Sequence, residues 1–194
     1  MLPRPMRHLA CSLLLPFLAA CASQTATPSA SGDAPCPDQT PVEVDAGAGG
    51  VIFPATRVAQ VRWLGLEQPA GAWTPTVAEV AQLERLLPAA LQRGVEAPES
   101  LGGASRPDWL RSEIPQILAH LPEYRRQYVG LVDAQGQRTI LVRAFAGPGV
   151  DGSFPNEDWL QNLVIVDDGG FWYWQIEFDP KTGRFARFDS NGYA

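Results

Sequence analysis

The sequence predicts an α+β domain in which two helices pack on one face of an antiparallel sheet of about five strands. Apolar residues recur at helical spacing between residues 74 and 121, and they alternate with polar residues at the period of strands after residue 124. The helices precede most of the strands, an order typical of α+β folds. A chain of 194 residues has room for one such domain and for targeting material.

The first predicted helix starts at a strong N-terminal signal. Pro75 suits a first turn, and Thr76 with Glu79 forms a capping box, in which each side chain bonds the backbone N–H of the other residue. Apolar residues then recur on one face of the helix: Val77, Val80, Leu83, Leu87 and Leu91. Pro88 is expected to kink or shorten the helix, and Gly94 is expected to end it.

Two further elements flank this helix. Arg57–Trp63 has a short alternating pattern and is predicted to be a strand. A second helix is predicted over residues 108–121, interrupted at Pro115, with Ser112 as the cap of a fresh start. His120 lies late in this helix, where the macrodipole favours a cation.

From Tyr124 onwards the pattern changes to strands. Tyr128–Asp133 and Arg138–Ala146 are predicted to form a hairpin around a turn at residues 134–137. Leu160–Val166 is predicted to be a further strand after a loop rich in Gly, Pro and Asp. Together with the last hairpin, these segments complete the predicted sheet.

The last hairpin has the clearest pattern. Its strands are Phe171–Phe178 and Arg184–Asp189. Between them Asp179 and Pro180 hold the positions that a type I turn favours, and Gly183 supplies the left-handed residue of a bulge. Alternation places on one face Trp172, Trp174, Ile176 and Phe178. It places on the other face Phe171, Tyr173, Gln175 and Glu177.

The order of these elements resembles that of cystatin-like and nuclear-transport-factor-like rolls, an analogy of architecture that carries no activity. Three stretches are also similar to parts of small exported bacterial proteins of unknown role: Tyr124–Gly130, Val166–Trp172 and Asn191–Ala194. That likeness supports export and a shared fold.

The first twenty residues have the features of an export signal. Arg4 and Arg7 give a basic start, and the apolar run Leu9–Ala20 is shorter than the ~20 residues that a membrane-spanning helix needs. Leu18-Ala19-Ala20-Cys21 resembles the lipobox of bacterial lipoproteins. The resemblance implies that residues 1–20 are a signal peptide and that the sulfur of Cys21 carries lipid. The alternative is an ordinary secretory signal whose cleavage site adjoins a cysteine.

The lipoprotein resemblance also implies a location. Ala22 is not the aspartate associated with inner-membrane retention, so the implied place is the outer membrane, facing the periplasm. Residues 21–50 are rich in Ser, Thr, Ala, Pro and Gly and are predicted to be a flexible tether, with residues 51–194 as the single domain. Cys36 lies in the tether, either as an incidental thiol or as one half of an intermolecular bridge.

The net charge of the mature chain argues against nucleic acid and anionic lipid as partners. Of 15 basic residues, Arg4 and Arg7 leave with the signal, so 13 basic and 21 acidic residues remain, a net charge of −8. Nucleic-acid binding would need a cationic surface, and attraction to anionic lipid would need the same. The expected membrane attachment is therefore through the N-terminal lipid, and any further partner is an envelope protein.

The sequence contains no motif that identifies catalytic residues, a metal site or a cofactor. His120 is the only histidine after the signal, and no cysteine follows Cys36, so the usual zinc patterns are absent. Two acidic clusters offer oxygen ligands for calcium or paired carboxylates for glycoside hydrolysis. The first is Asp151, Glu157 and Asp158, and the second is Asp167 and Asp168. Both clusters also suit turns, which favour Asp, Asn and Gly, and turn chemistry is the preferred interpretation.

The remaining candidate is an aromatic patch. Phe171 and Tyr173 would form it on the sheet face away from the helices, flanked by Arg143, unless that face is also covered. Glu157, Asp158, Asp167 and Asp168 complete the candidate binding residues. The leading hypothesis is a non-enzymatic, lipid-anchored protein that binds a partner through its sheet. The alternatives are an immunity or inhibitor protein against a cell-wall hydrolase, and a carbohydrate-active hydrolase using paired carboxylates.

Overall fold

The computed structural model describes residues 40–58, 68–102, 107–150 and 158–192. These residues form an α+β fold, which confirms the predicted class. The helices described are α1 (Ala55–Val58), α2 (Val77–Glu96) and α3 (Pro107–Ala119). The strands described are β1 (Val42–Val44), β2 (Gly50–Phe53), β3 (Gly71–Trp73), β4 (Tyr124–Val132), β5 (Arg138–Ala146), β6 (Tyr173–Asp179) and β7 (Arg184–Ser190).

One sheet holds all seven of these strands, in the order β1-β2-β4-β5-β6-β7, with β3 also paired to β4. Every pairing is antiparallel except that of β2 with β4, which is parallel and joins Phe53 to Val129. β3 pairs with the last residues of β4, beyond the end of β2. β4 therefore borders three other strands.

The sheet begins earlier than predicted. Residues 42–44 and 50 belong to the predicted tether, yet they lie in β1 and β2, so the boundary at residue 51 is wrong. β1 leaves Val42 46% exposed, while Val44 packs against the main core and the backbone pairs with β2. Residues 21–39 of the tether, with Cys21 and Cys36, and the signal peptide lie outside the described residues.

The structure contradicts one predicted strand over its whole length and another over the residues that are described. Arg57 and Val58 lie in helix α1, and residues 59–63 of the same predicted strand lie outside the described part. Residues 160–166 form turns and irregular backbone. Their apolar side chains reflect packing, since Leu160 and Leu163 cover the sheet face opposite α2 and α3.

Both long helices are more continuous than predicted. The capping box of Thr76 and Glu79 is present, but α2 runs past Pro88 and ends at Glu96. Gly94 does not end the helix; it is buried where α2 approaches Leu101, and a β-carbon there would overlap that side chain.

The fresh start predicted inside the second helix is also absent. α3 is uninterrupted at Pro115, and the Ser112 hydroxyl donates a hydrogen bond to the Trp109 carbonyl within the helix, so it does not cap a new one. Each internal proline thus leaves its helix in one piece.

The two predicted hairpins are confirmed. β4 and β5 pair from Tyr124 to Ala146, and β6 and β7 meet at the predicted turn. There Gly183 has φ +70° and donates its N–H to the Asp179 carbonyl at 2.8 Å. Burial alone would raise the pKa of Asp179, but hydrogen bonds from Thr182 and Lys181 outweigh it and lower that pKa.

Apolar residues bury both faces of the sheet. A large cluster joins α2 and α3 to one face and includes Leu83, Leu87, Leu91, Ile114, Ile117, Tyr128, Val142, Trp174, Ile176 and Phe178. A smaller cluster on the second face includes Val51, Phe53, Val58, Val129 and Leu141, covered in part by Trp159, Leu160 and Leu163. The second face of the sheet thus carries a small hydrophobic core of its own.

A buried charge joins α2 to the sheet. Arg126 on β4 is 2% exposed; its Nη1 lies 3.2 Å from Glu84 of α2, and its Nη2 donates to the Leu121 carbonyl at 2.6 Å. The Tyr128 hydroxyl donates to the other Glu84 oxygen at 2.7 Å. Burial, reinforced by the Glu84 carboxylate, raises the pKa of Tyr128, so this hydroxyl stays protonated.

Removing the negative partner of this network should be the costlier change. Glu84→Gln leaves a buried cation unpaired and should lower the free energy of unfolding by about 3 kcal/mol, whereas Tyr128→Phe should lower it by about 1 kcal/mol. Chemical denaturation measures both. Glu96→Gln, at an exposed position of the same helix, is the matched control. A Glu84→Gln effect no larger than that of the control would contradict the role given to the ion pair.

A bulge in β7 places Arg187 in a left-handed conformation. The pairing of β6 with β7 shifts register between Gln175 and Glu177, and Arg187 has φ 51°, which side chains with a β-carbon rarely adopt. Its N–H turns away from β6 and donates to the Gly102 carbonyl at 2.6 Å. The strain is therefore tied to a contact with the segment that follows α2.

At position 187 a glycine variant should be more stable than an alanine variant. Arg187→Ala and Arg187→Gly both lose the exposed pair with Glu177, which contributes little. Only glycine relieves the backbone, so its variant should be more stable than the alanine variant by about 1 kcal/mol in thermal unfolding. Ala186→Gly, next to the bulge, should instead destabilise. If glycine lowers the melting temperature at both positions, the left-handed conformation is not the source of strain.

Candidate functional site

Arg143 lies on the second face of the sheet, in the middle of β5. Its cross-strand neighbours are Gln127 on β4 and Gln175 on β6. Two residues further along β5, Phe145 lies beside Tyr173. Because side chains alternate along strands, these five residues share one face, and they form a row of polar groups bordered by two aromatic rings.

A narrow crevice opens beside this row. Its volume is about 20 Å³. Arg143, Gln175, Phe145 and Tyr173 line it from the sheet, and Val164 and Val166 line it from the loop after Trp159. A space of this size admits one water molecule or one small polar group.

Two side-chain amides hold the loop wall in place. Gln127 is fully buried; its Nε2 donates to the carbonyls of Trp159 at 2.6 Å and Asn162 at 2.8 Å, and its Oε1 accepts from the Val164 N–H at 2.8 Å. Asn191 Nδ2 donates to the Val166 carbonyl at 2.5 Å. These bonds replace a strand ladder, which is why residues 160–166 do not form a strand.

The aromatic ring of Trp159 closes one end of the loop. It packs edge-on against Phe145 at 6.0 Å between centroids, and the Arg125 guanidinium lies 4.8 Å from its ring. Burial lowers the pKa of Arg125. Cation and ring together fix the loop over the sheet.

The polar groups of the crevice are incompletely paired. Arg143 is half-buried, and no carboxylate in the described part of the chain pairs with its guanidinium. Burial of this guanidinium lowers the pKa of Arg143. Beside it, the buried Oε1 of Gln175 accepts no hydrogen bond. A desolvated cation and an unsatisfied acceptor therefore line one small opening: the guanidinium favours an anionic or polar acceptor, and the amide oxygen needs a donor.

Of the predicted aromatic patch, only Tyr173 joins Arg143. Phe171 lies in a 3-10 turn, Gly170–Trp172, and packs with the main core, so its predicted place on the second face is wrong. Gly169 and Gly170 both have positive φ and turn the chain before β6 begins, which breaks the alternation. Tyr173 is only 4% exposed, so the pair presents no open aromatic surface.

The ring of His120 packs against Phe171 and Trp172, with centroids 5.8 and 4.7 Å away. Its Nδ1 lies 3.0 Å from a Glu123 oxygen. These contacts are structural and lie away from the crevice lining.

The predicted acidic residues that the structure describes lie at the two ends of the loop 159–166 and do not line the crevice. Asp158, Asp167 and Asp168 are exposed, and Asp151 and Glu157 lie outside the described residues. The backbone carbonyl of Asp158 accepts from Gln161 and Asn162, as in a turn. Among the described residues, no carboxylate lines the crevice and no group of three potential ligands could hold a metal ion.

Gln127, Gln175 and Asn191 were missed in the sequence. The available signal was an amide in a strand of apolar neighbours, as at Gln127 between Arg126 and Tyr128. This signal can be interpreted only when both faces of β4 are known to be buried, and no local sequence pattern shows that.

Comparisons with protein-family models, with curated proteins and with solved structures gave no match. The site must therefore be interpreted from its own geometry. None of the helices in the described segments has both the length and the apolar character to span a bilayer.

Replacing the unpaired cation should stabilise the domain. Arg143→Met removes a desolvated charge but keeps apolar volume, and should raise the free energy of unfolding by about 1 kcal/mol. The matched control is Arg138→Met on the same strand, where the guanidinium stacks 3.5 Å from the Trp73 ring and its loss should destabilise. Thermal unfolding distinguishes them. A destabilising Arg143→Met would show that Arg143 has a structural role.

Proposed function

We propose that this chain is a lipid-anchored envelope protein whose α+β domain binds a partner through the crevice at Arg143, without catalysis. The lipid is carried by Cys21 after removal of residues 1–20, and the domain faces the periplasm from the outer membrane. The observation that supports binding is the half-buried Arg143 guanidinium, which lines the crevice and pairs with no carboxylate among the described residues.

The chemistry of the partner group follows from the crevice. A cation removed from water is stabilised by an anion that reaches it, and a charge-assisted hydrogen bond is stronger than a neutral one. The crevice admits only one small group, and apolar side chains of Val164, Val166 and Phe145 surround it. We therefore assign it to a single carboxylate inserted by an envelope protein, with the surrounding loop as the rest of the contact.

Lipid attachment is tested on the full chain made in a bacterial host. Intact-mass spectrometry should show a mature protein that begins at Cys21 and carries fatty acids, and the protein should fractionate with membranes. Cys21→Ser should abolish acylation, while Cys36→Ser should leave it unchanged. A wild-type amino terminus without fatty acid would overturn the anchor.

Partner binding is tested by photo-crosslinking in cells, with the crosslinking residue placed at exposed Gln161 of the loop. Arg143→Met should abolish the adduct, and Arg138→Met should retain it. Since Arg143→Met is expected to fold at least as stably as wild type, loss of the adduct cannot be ascribed to unfolding. An adduct that both variants retain equally would contradict the role of the crevice.

A second candidate is an immunity or inhibitor protein against a cationic cell-wall hydrolase. Exposed carboxylates on the loop and on β7 favour it: Asp158, Asp167, Asp168 and Asp189. Together with the net charge of −8, they would attract a basic target. Inhibition of a basic muramidase that weakens with salt and with Asp167→Asn/Asp168→Asn would support this candidate; inhibition insensitive to both would count against it.

A further inference from the structure

A second cleft lies on the helical side of the molecule. Its volume is about 250 Å³, and it opens between the C-terminal half of α2, the 3-10 turn Pro98–Leu101 and the start of β7. Ala90, Leu101 and Phe185 line it and are each at most 6% exposed, so its floor is apolar. Its polar lining comes from Arg93, Ser100 and Arg184.

The walls of this cleft are fixed by the backbone. Gly94 allows Leu101 to pack directly on α2. Gly102, with φ 54°, accepts the N–H of Arg187 and thereby holds the turn against β7. On the opposite side, Gly183 lies so near Leu86 of α2 that a β-carbon there would touch that side chain. The cleft is therefore bounded by three elements that contact one another.

The two arginines of the cleft differ from most others in the fold. Arg111, Arg126 and Arg187 pair with carboxylates, and Arg125 and Arg138 lie over tryptophan rings. Arg93 and Arg184 are exposed, and neither pairs with a carboxylate within the described segments. Glu96 and Glu99 lie on the same elements but do not line the cleft. In a chain with an acidic excess, two cations thus remain available above an apolar floor.

We propose that this cleft binds a small amphiphilic anion, with its charged group between Arg93 and Arg184 and its apolar body on Ala90, Leu101 and Phe185. The cleft is much larger than the crevice at Arg143, and hexanoate, a six-carbon carboxylate, is the probe chosen for it. The headgroup is a carboxylate or a phosphate, since a guanidinium binds both. This site is separate from the crevice at Arg143 and does not depend on it.

The test uses the full lipidated chain in mild detergent, with a detergent-only blank. NMR titration follows the Nε–H signals of the arginines on addition of hexanoate, hexyl phosphate, acetate or hexanol. A ligand this small should bind in the millimolar range. Both hexyl anions should bind at least about tenfold more tightly than acetate, which lacks the apolar body, and hexanol, which lacks the charge. The tighter of the two anions identifies the headgroup.

Variants locate the binding. Arg93→Gln and Arg184→Gln should each weaken hexanoate binding by about tenfold. Arg111→Gln, exposed on α3, is the matched control and should leave the affinity unchanged, as should Arg143→Met. Since all four side chains lie at exposed or half-buried positions, far-UV circular dichroism should stay the same.

The proposal is overturned if hexanoate and hexyl phosphate both bind no more tightly than acetate, or if the Arg93→Gln/Arg184→Gln double variant retains full affinity. A loss of binding in Arg143→Met alone would move the ligand to the other face of the sheet. That result would overturn this site while leaving the proposed partner crevice standing.

Discussion

The guanidinium of Arg126, buried between α2 and β4, sets how the helices lie on the sheet. It requires the carboxylate of Glu84 to point inwards from α2, and it binds the Leu121 carbonyl in the segment after α3. It also requires glycine at position 47, where a β-carbon would overlap its Nη1. Since a buried charge must be met by fixed partners, this one side chain joins three segments that are distant in sequence: the turn at Gly47, α2 and residues 121–126.

The next residue of β4, Gln127, lies on the opposite face of the sheet. Gln127 alternates with Arg126 along the strand and holds the loop that forms one wall of the crevice at Arg143. One strand therefore sets both the helix layer and the candidate site. Arginines that pair with no carboxylate in the described part of the chain line the two clefts, while the chain as a whole is acidic. Such a surface disfavours anions at long range, so only an anionic group that fits a cleft in shape is stabilised there.

Local physics accounts for the elements that the sequence predicted correctly. The start of α2 follows from Thr76 and Glu79, which bond each other's backbone within one turn. The last hairpin follows from Asp179, whose carboxylate accepts from Lys181 and Thr182, and from Gly183 in the left-handed region. Each of these signals involves residues only a few positions apart, and a single sequence therefore reveals them.

The candidate site was decided by pairings that no local pattern contains. Arg143 was identified from the sequence, but its partners Gln127 and Gln175, and the displacement of Phe171 into the main core, depend on register across three strands. β2 and β3 join the sheet through backbone bonds to β4, which is distant in sequence. The sequence by itself determined the class of fold, the ends of its strongest elements and the excess of acid. Tertiary structure alone decided which polar groups are buried without partners, because burial is a property of all the segments that meet at a point.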